Sequence, residues 1–203
     1  MINSNMFSLQ IGVIMRRLSF SLLIIFSLLS ADEGKLPILK LKDFNNKRID
    51  LSSFHVDGPV AINAWNMSCE PCKKEMKYLN DFHLKYKDQG FKFVSVNIDS
   101  PRSISKVKSY LKSMKWDFPV LSDPRAEFFR KTGGKVMPYL LLVNKDGSIY
   151  KRHVGFNPGE EVVLEAEIVE MLALNFPERI KPPAVIETKE VEQTSNSKKN
   201  LND

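Results

Sequence analysis

The chain has 203 residues, with 30 Lys and Arg against 24 Asp and Glu and a net charge of +6. That mild excess, with no clustered basic stripe, gives no footprint for nucleic acid. Two cysteines and three histidines are too few to build a disulfide scaffold or a cysteine-rich metal domain.

The first 31 residues contain no acid, and Arg16 and Arg17 precede a 14-residue apolar run from Leu18 to Ala31. A basic n-region followed by a short h-region is the layout of a secretory signal. The run is shorter than the ~20 apolar residues of a membrane span. Residues 1–31 are therefore expected to be a signal peptide or an N-terminal membrane anchor, and the protein to be exported, to a periplasm or the outer face of the cytoplasmic membrane. At the other end, residues 181–203 carry two prolines, no aromatic residue and charges of both signs, the composition of a disordered tail. Between them, residues 35–178 are the right size for one domain with its own core.

Within that domain the segment KLPILKLKDFNNKRIDLSSF has two alternating stretches around Asn45 and Asn46, which predicts a hairpin. Pro59 to Trp65 reads as a buried strand. The following segment places Met76, Leu79, Phe82 and Tyr86 at helical spacing and ends at Gly90, a C-terminal cap. Phe91 to Ile98 is a second buried strand. A helix follows, with Asp99 or Ser100 expected as N-cap, Pro101 at its first position, and Ile104, Val107, Tyr110, Leu111 and Met114 on one face. FPVLSDP predicts a short strand and AEFFRKTGG a short helix. Two more strands meet at Asn144 to Gly147, where Asp146-Gly147 signals a hairpin. The last helix is expected from Pro158 to Phe176, with Val162, Val163, Ile168, Met171 and Leu172 apolar. Strands alternating with helices and closing on a hairpin and helix predict an α/β fold with a mixed central sheet.

Both cysteines lie in NAWNMSCEPCKKEM, at the junction of a buried strand and a helix, separated by Glu70 and Pro71. A sulfur at a helix start faces unpaired N–H groups and the positive end of the dipole, which favour thiolate over thiol. A thiolate attacks disulfides, and a second cysteine one turn on is placed to resolve the mixed disulfide. Pro71 suits the first turn, where its missing N–H costs nothing. Two blander readings compete. Zinc needs four ligands, and His55, His83 and His153 have no paired spacing. A structural staple closing so short a loop gives little stabilisation.

W-x-x-x-C-E-P-C after a strand, followed some 65 residues later by V-x-P ahead of a strand and by an N-x-D-G hairpin, resembles the thioredoxin fold. More narrowly it resembles the TlpA/ResA/CcmG-type exported thiol-disulfide oxidoreductases, a branch of AhpC/TSA-Redoxin-like domains. The likeness includes the N-terminal β-hairpin and the inserted helix-strand segment SPRSISKVKSYLKSMKWDFPVLSDP. The resemblance implies Cys69 as the attacking cysteine, Cys72 as the resolving one, and the two as a redox-active disulfide. It implies Met137-Pro138 as a cis dipeptide whose residue 137 offers backbone N–H and C=O to an extended substrate. Trp65, Glu70, Pro71, Met137 and Pro138 form the substrate-facing set it implies. The family's acid near the resolving cysteine is absent from position 63, where Asn63 stands. Glu75, three residues after Cys72, is the alternative, and partial burial would suit it to carry a proton. A solvated glutamate paired with Lys73, Lys74 or Lys77 is the competing reading. Ser68 replaces the tryptophan usual before the first cysteine, which leaves the partner open.

Glu70 places a negative charge beside the Cys69 thiolate, which should raise its pKa and make the pair a reductant. The resemblance then implies a reductase of protein disulfides, with apocytochrome c as one substrate and a membrane thiol transporter of the DsbD/CcdA kind as electron donor. No cofactor and no metal are expected. A peroxiredoxin would need P-x-x-x-T-x-x-C, and Ile62 and Asn66 occupy the Pro and Thr positions. A Sco-type copper carrier would need C-x-x-x-C. A thioredoxin-fold binding module without turnover stays open.

Overall fold

A computed structural model describes residues 34–178; the predicted signal or anchor and the predicted tail lie outside them. Seven strands form one sheet: β1 (Lys40–Asp43), β2 (Arg48–Asp50), β3 (Val60–Trp65), β4 (Lys92–Asn97), β5 (Val120–Ser122), β6 (Tyr139–Val143) and β7 (Ile149–Val154). The α-helices are α1 (Glu70–Tyr86), α2 (Ile104–Met114), α3 (Glu127–Lys131) and α4 (Glu160–Asn175). The sheet order is β2-β1-β5-β4-β3-β6-β7. Strand β3 runs parallel to β4 and β4 to β5, while β6, β7 and the β1–β2 hairpin are antiparallel additions. This is the predicted mixed sheet with helices on it.

Every residue of β3 is buried, because both faces of the sheet are covered. The period of two divides the strand between two cores. Ala61 and Trp65 face a cluster with Phe93, Leu140, Cys72, Met76 and Leu79 of α1, and Leu164, Ile168, Met171 and Leu172 of α4. Val60, Ile62 and Ala64 face the other, with Val94, Leu141, Leu51 and Phe128 of α3. Asn63 is buried on the α1 side, the one polar residue among these six.

Ser100 is the N-cap residue and Pro101 opens the element, as expected, but as a 3-10 turn, Pro101–Ser103, ahead of α2 and with no side-chain cap bond from Ser100. One expectation needs correction. In α4 the inward stripe is Leu164, Ile168, Met171 and Leu172, spaced by four, three and one; Val162 and Val163 fall off that stripe and are 69% and 58% exposed. The two glycines 58 and 90 mark a close approach of backbones: a Cβ on Gly58 would stand 2.3 Å from the Gly90 carbonyl oxygen, and Gly90 itself has φ 99°.

Candidate active site

Strands β3 and β4 end side by side, so the loops leaving them meet at one edge of the sheet. Asn66 closes the loop after β3 as an Asx turn: its Oδ1 accepts from Ser68 N (3.1 Å) and Ser68 Oγ (2.8 Å). Asp99, after β4, accepts the Met67 N–H at 2.8 Å and an amide N–H of buried Asn97 at 2.7 Å. The loop thus delivers Cys69 to the N-cap of α1, where its Sγ accepts from Cys72 N at 3.3 Å. Pro71 lies in the first turn, as predicted.

Cys69 and Cys72 are joined as a disulfide, with Cα atoms 5.3 Å apart. Cys69 is half-buried and Cys72 wholly buried, one turn deeper into the core. Met67, Cys69 and Met137 are packed against the same core cluster. The Met137-Pro138 peptide is cis, Pro138 is buried, and Met137 is half-buried.

Glu75 lies on the buried face of α1, the helix that carries the disulfide, and is 1% exposed. It pairs with no lysine. Asn63 Nδ2 donates to its Oε2 at 3.4 Å, and Ser95 Oγ on β4 donates to Asn63 Oδ1 at 2.8 Å. Burial pushes the Glu75 carboxyl up to about 8; the Asn63 hydrogen bond opposes this and the charge of Glu160 adds to it. The solvated reading of Glu75 is thereby replaced by a buried acid three residues from Cys72.

The rim is formed by Ser68, Glu70 and Pro71, all exposed. Glu70 is not a lone charge. Lys73 Nζ lies 2.6 Å from its carboxylate, and this hydrogen bond and charge hold Glu70 below the usual carboxylate range. Lys73 also sits 5.4 Å over the Tyr110 ring. The negative charge expected beside Cys69 is therefore partly paired. Trp65 corrects another expectation: it is completely buried, its ring 5.8 Å from that of Tyr110, and cannot meet a docked substrate. It floors the loop instead. Among the described residues no group of three or more His, Cys, Asp or Glu is arranged to hold a metal ion.

Asn66, Ser95, Asn97 and Asp99 were not singled out for these parts from the sequence. Asn66-x-Ser68 is a readable Asx-turn pattern, but the roles of Ser95 and Asp99 depend on the β3–β4 register.

A cysteine pair split between the surface and the core at the start of a helix, on a mixed sheet of this order, defines a thioredoxin-like thiol-disulfide oxidoreductase. The family model described as Redoxin matches residues 31–169, and the chain belongs to that family. The thiol-disulfide oxidoreductase ResA of Bacillus subtilis (strain 168) is 34% identical over 123 residues, 60% of this chain and 67% of the relative. ResA of Bacillus thuringiensis subsp. konkukian (strain 97-27) is 31% identical over 126 residues, 62% and 71% of the two chains. A crystal structure assigned as the thiol:disulfide interchange protein DsbE of Chlorobium tepidum superposes with a TM-score of 0.63 at 29% identity, covering 68% of this chain and 96% of the other. The protein is of the TlpA/ResA type and exchanges thiols with disulfides.

Proposed function

We propose that the protein is a reductase of protein disulfides in which Cys69 attacks, Cys72 resolves and Glu75 carries the proton. The observation that supports this most is the burial of Glu75 on the same helix face as buried Cys72, with its carboxyl pushed up to about 8. An ordinary thiol titrates near 8.5, so proton transfer between the two groups is close to balanced in both directions.

In the reducing direction the Cys69 thiolate attacks one sulfur of the substrate disulfide, and the other sulfur leaves as a thiolate and takes up a proton. Cys72 then passes its proton to the Glu75 carboxylate and attacks Cys69. The Cys69–Cys72 disulfide forms, the second substrate sulfur leaves, and two electrons have moved to the substrate. Recharging runs backward: a donor dithiol opens the disulfide, and protonated Glu75 returns its proton to Cys72. The Met137 backbone beside cis-Pro138, with Pro71 and Glu70 on the rim, is the proposed docking surface for an extended substrate segment.

The setting we propose is the outside of the cytoplasmic membrane or a periplasm, with residues 1–31 as export signal or anchor. There a membrane thiol transporter of the DsbD/CcdA kind supplies electrons, and the substrates are exported protein disulfides such as the C-x-x-C-H of apocytochrome c. Insulin reduction by dithiothreitol tests the activity. Wild type should accelerate it and Cys69→Ser should not; equal rates for the two would reject a reductase.

A further inference from the structure

Asn63 and Ser95 are paired partners on neighbouring parallel strands, both fully buried, and both turned toward α1. We infer that Ser95 is a positioning residue: by giving its hydroxyl proton to Asn63 Oδ1 it fixes the side-chain amide so that only the NH2 faces Glu75, and so assigns the exchangeable proton to Oε1. This rests on the reading of Glu75 as the proton carrier.

An amide can present either its acceptor or its donors. Turned with Oδ1 toward the acid, it would favour a protonated carboxyl; turned with NH2, it favours the carboxylate. The Ser95 hydroxyl has one proton to give. Asn63 Oδ1 at 2.8 Å is a far better acceptor than its other neighbour, the Met76 sulfur at 3.8 Å. With Oδ1 so engaged, Nδ2 is left for Glu75 Oε2. With Oε2 accepting from Asn63, protonation is favoured at the other oxygen, Oε1. Glu160 at the start of α4 is the other acid that acts on Glu75. Asp99 is turned to Met67 N and Asn97; on Glu75's own helix Cys72 is held in the disulfide, and Tyr78 and Tyr86 follow further along.

Ser95→Ala frees the amide to turn, and Asn63→Leu removes it. Both should raise the pH at which Glu75 ionises, by about half to one pH unit for one hydrogen bond. In the disulfide form, the infrared carboxyl band that Glu75→Gln abolishes reads this directly. In the reduced form, 5,5′-dithiobis(2-nitrobenzoate) reports two releases of a thiolate that leaves without needing a proton. The first comes when Cys69 attacks the reagent, the second when Cys72 attacks Cys69. The inference expects both variants to move the carboxyl titration and the second-release midpoint upward, with the first release unmoved. Wild-type titrations in both variants, or equal movement of both releases as general loosening would give, would overturn it. If Glu75→Gln keeps the wild-type second release, the proton-carrier reading fails instead, and the infrared titration alone then decides whether Ser95 orients the amide.

Discussion

Glu75 makes the stability of the oxidised protein depend on pH in a direction opposite to that of most carboxylates. Its folded value of about 8 stands above the ordinary 4.5 that it regains on unfolding. Between these values the folded chain holds a proton that the unfolded chain has released, so stability falls as pH rises. The contribution of the neutral carboxyl is fully present below 4.5 and is lost as pH climbs to 8. At about 1.36 kcal/mol per pH unit, the roughly 2.5 units from 4.5 to 7 amount to about 3 kcal/mol. Glu75→Gln removes the titration. Its amide has its own cost or gain in the buried site, but that offset is the same at every pH. Urea denaturation of both disulfide forms at pH 4.5, 6, 7 and 8 should therefore show wild type losing about 3 kcal/mol relative to the variant between pH 4.5 and 7. Parallel pH dependences would refute the burial argument, whatever their offset.

Asp99→Ala should cost about 1.5–3 kcal/mol, the range for hydrogen bonds to a charged group, because Met67 N and Asn97 lose their acceptor; alkylation of Cys69 by iodoacetamide should slow as its loop loosens. Lys73→Gln exposes the Glu70 charge to the Cys69 thiolate, so the midpoint potential should become more negative. The change should be smaller than about 30 mV, a tenfold step in the couple's equilibrium constant, because Glu70 is at the surface. Gly58→Ala should lower the urea midpoint by the equivalent of about 1–3 kcal/mol, since its Cβ meets the Gly90 carbonyl rather than a side chain that can move.

Much of the site was readable because its chemistry is local. The Cys69-Glu70-Pro71-Cys72 spacing sets the pair on the first turn of a helix whatever lies around it, and the apolar run before it could only be a buried strand. The helix faces were read less well. In α4, Val162 and Val163 look apolar in sequence, yet the stripe set by Leu164, Ile168 and Met171 turns them to solvent. Trp65 was placed in the substrate-facing set by the resemblance, but strand parity and the cover of Tyr110 bury it. Asn63 looked like the loss of an acid, and Glu75 was read as its replacement, with a solvated glutamate among lysines as the competing reading. Their pairing, and Ser95 behind it, required knowing that β3 and β4 run parallel in register and that α1 rotates Lys73 toward Glu70 and away from Glu75. The direction of electron flow was argued from Glu70 alone, and the Lys73 pair weakens that argument by taking up part of its charge.

The midpoint potential of the Cys69/Cys72 couple tests the reductase assignment most directly. Equilibration against defined glutathione or dithiothreitol buffers, read by thiol alkylation, should place it more negative than about −200 mV, on the thioredoxin side of the known scale. A value near −120 mV, where strong disulfide oxidants lie, would reverse the direction of electrons and contradict the proposed function.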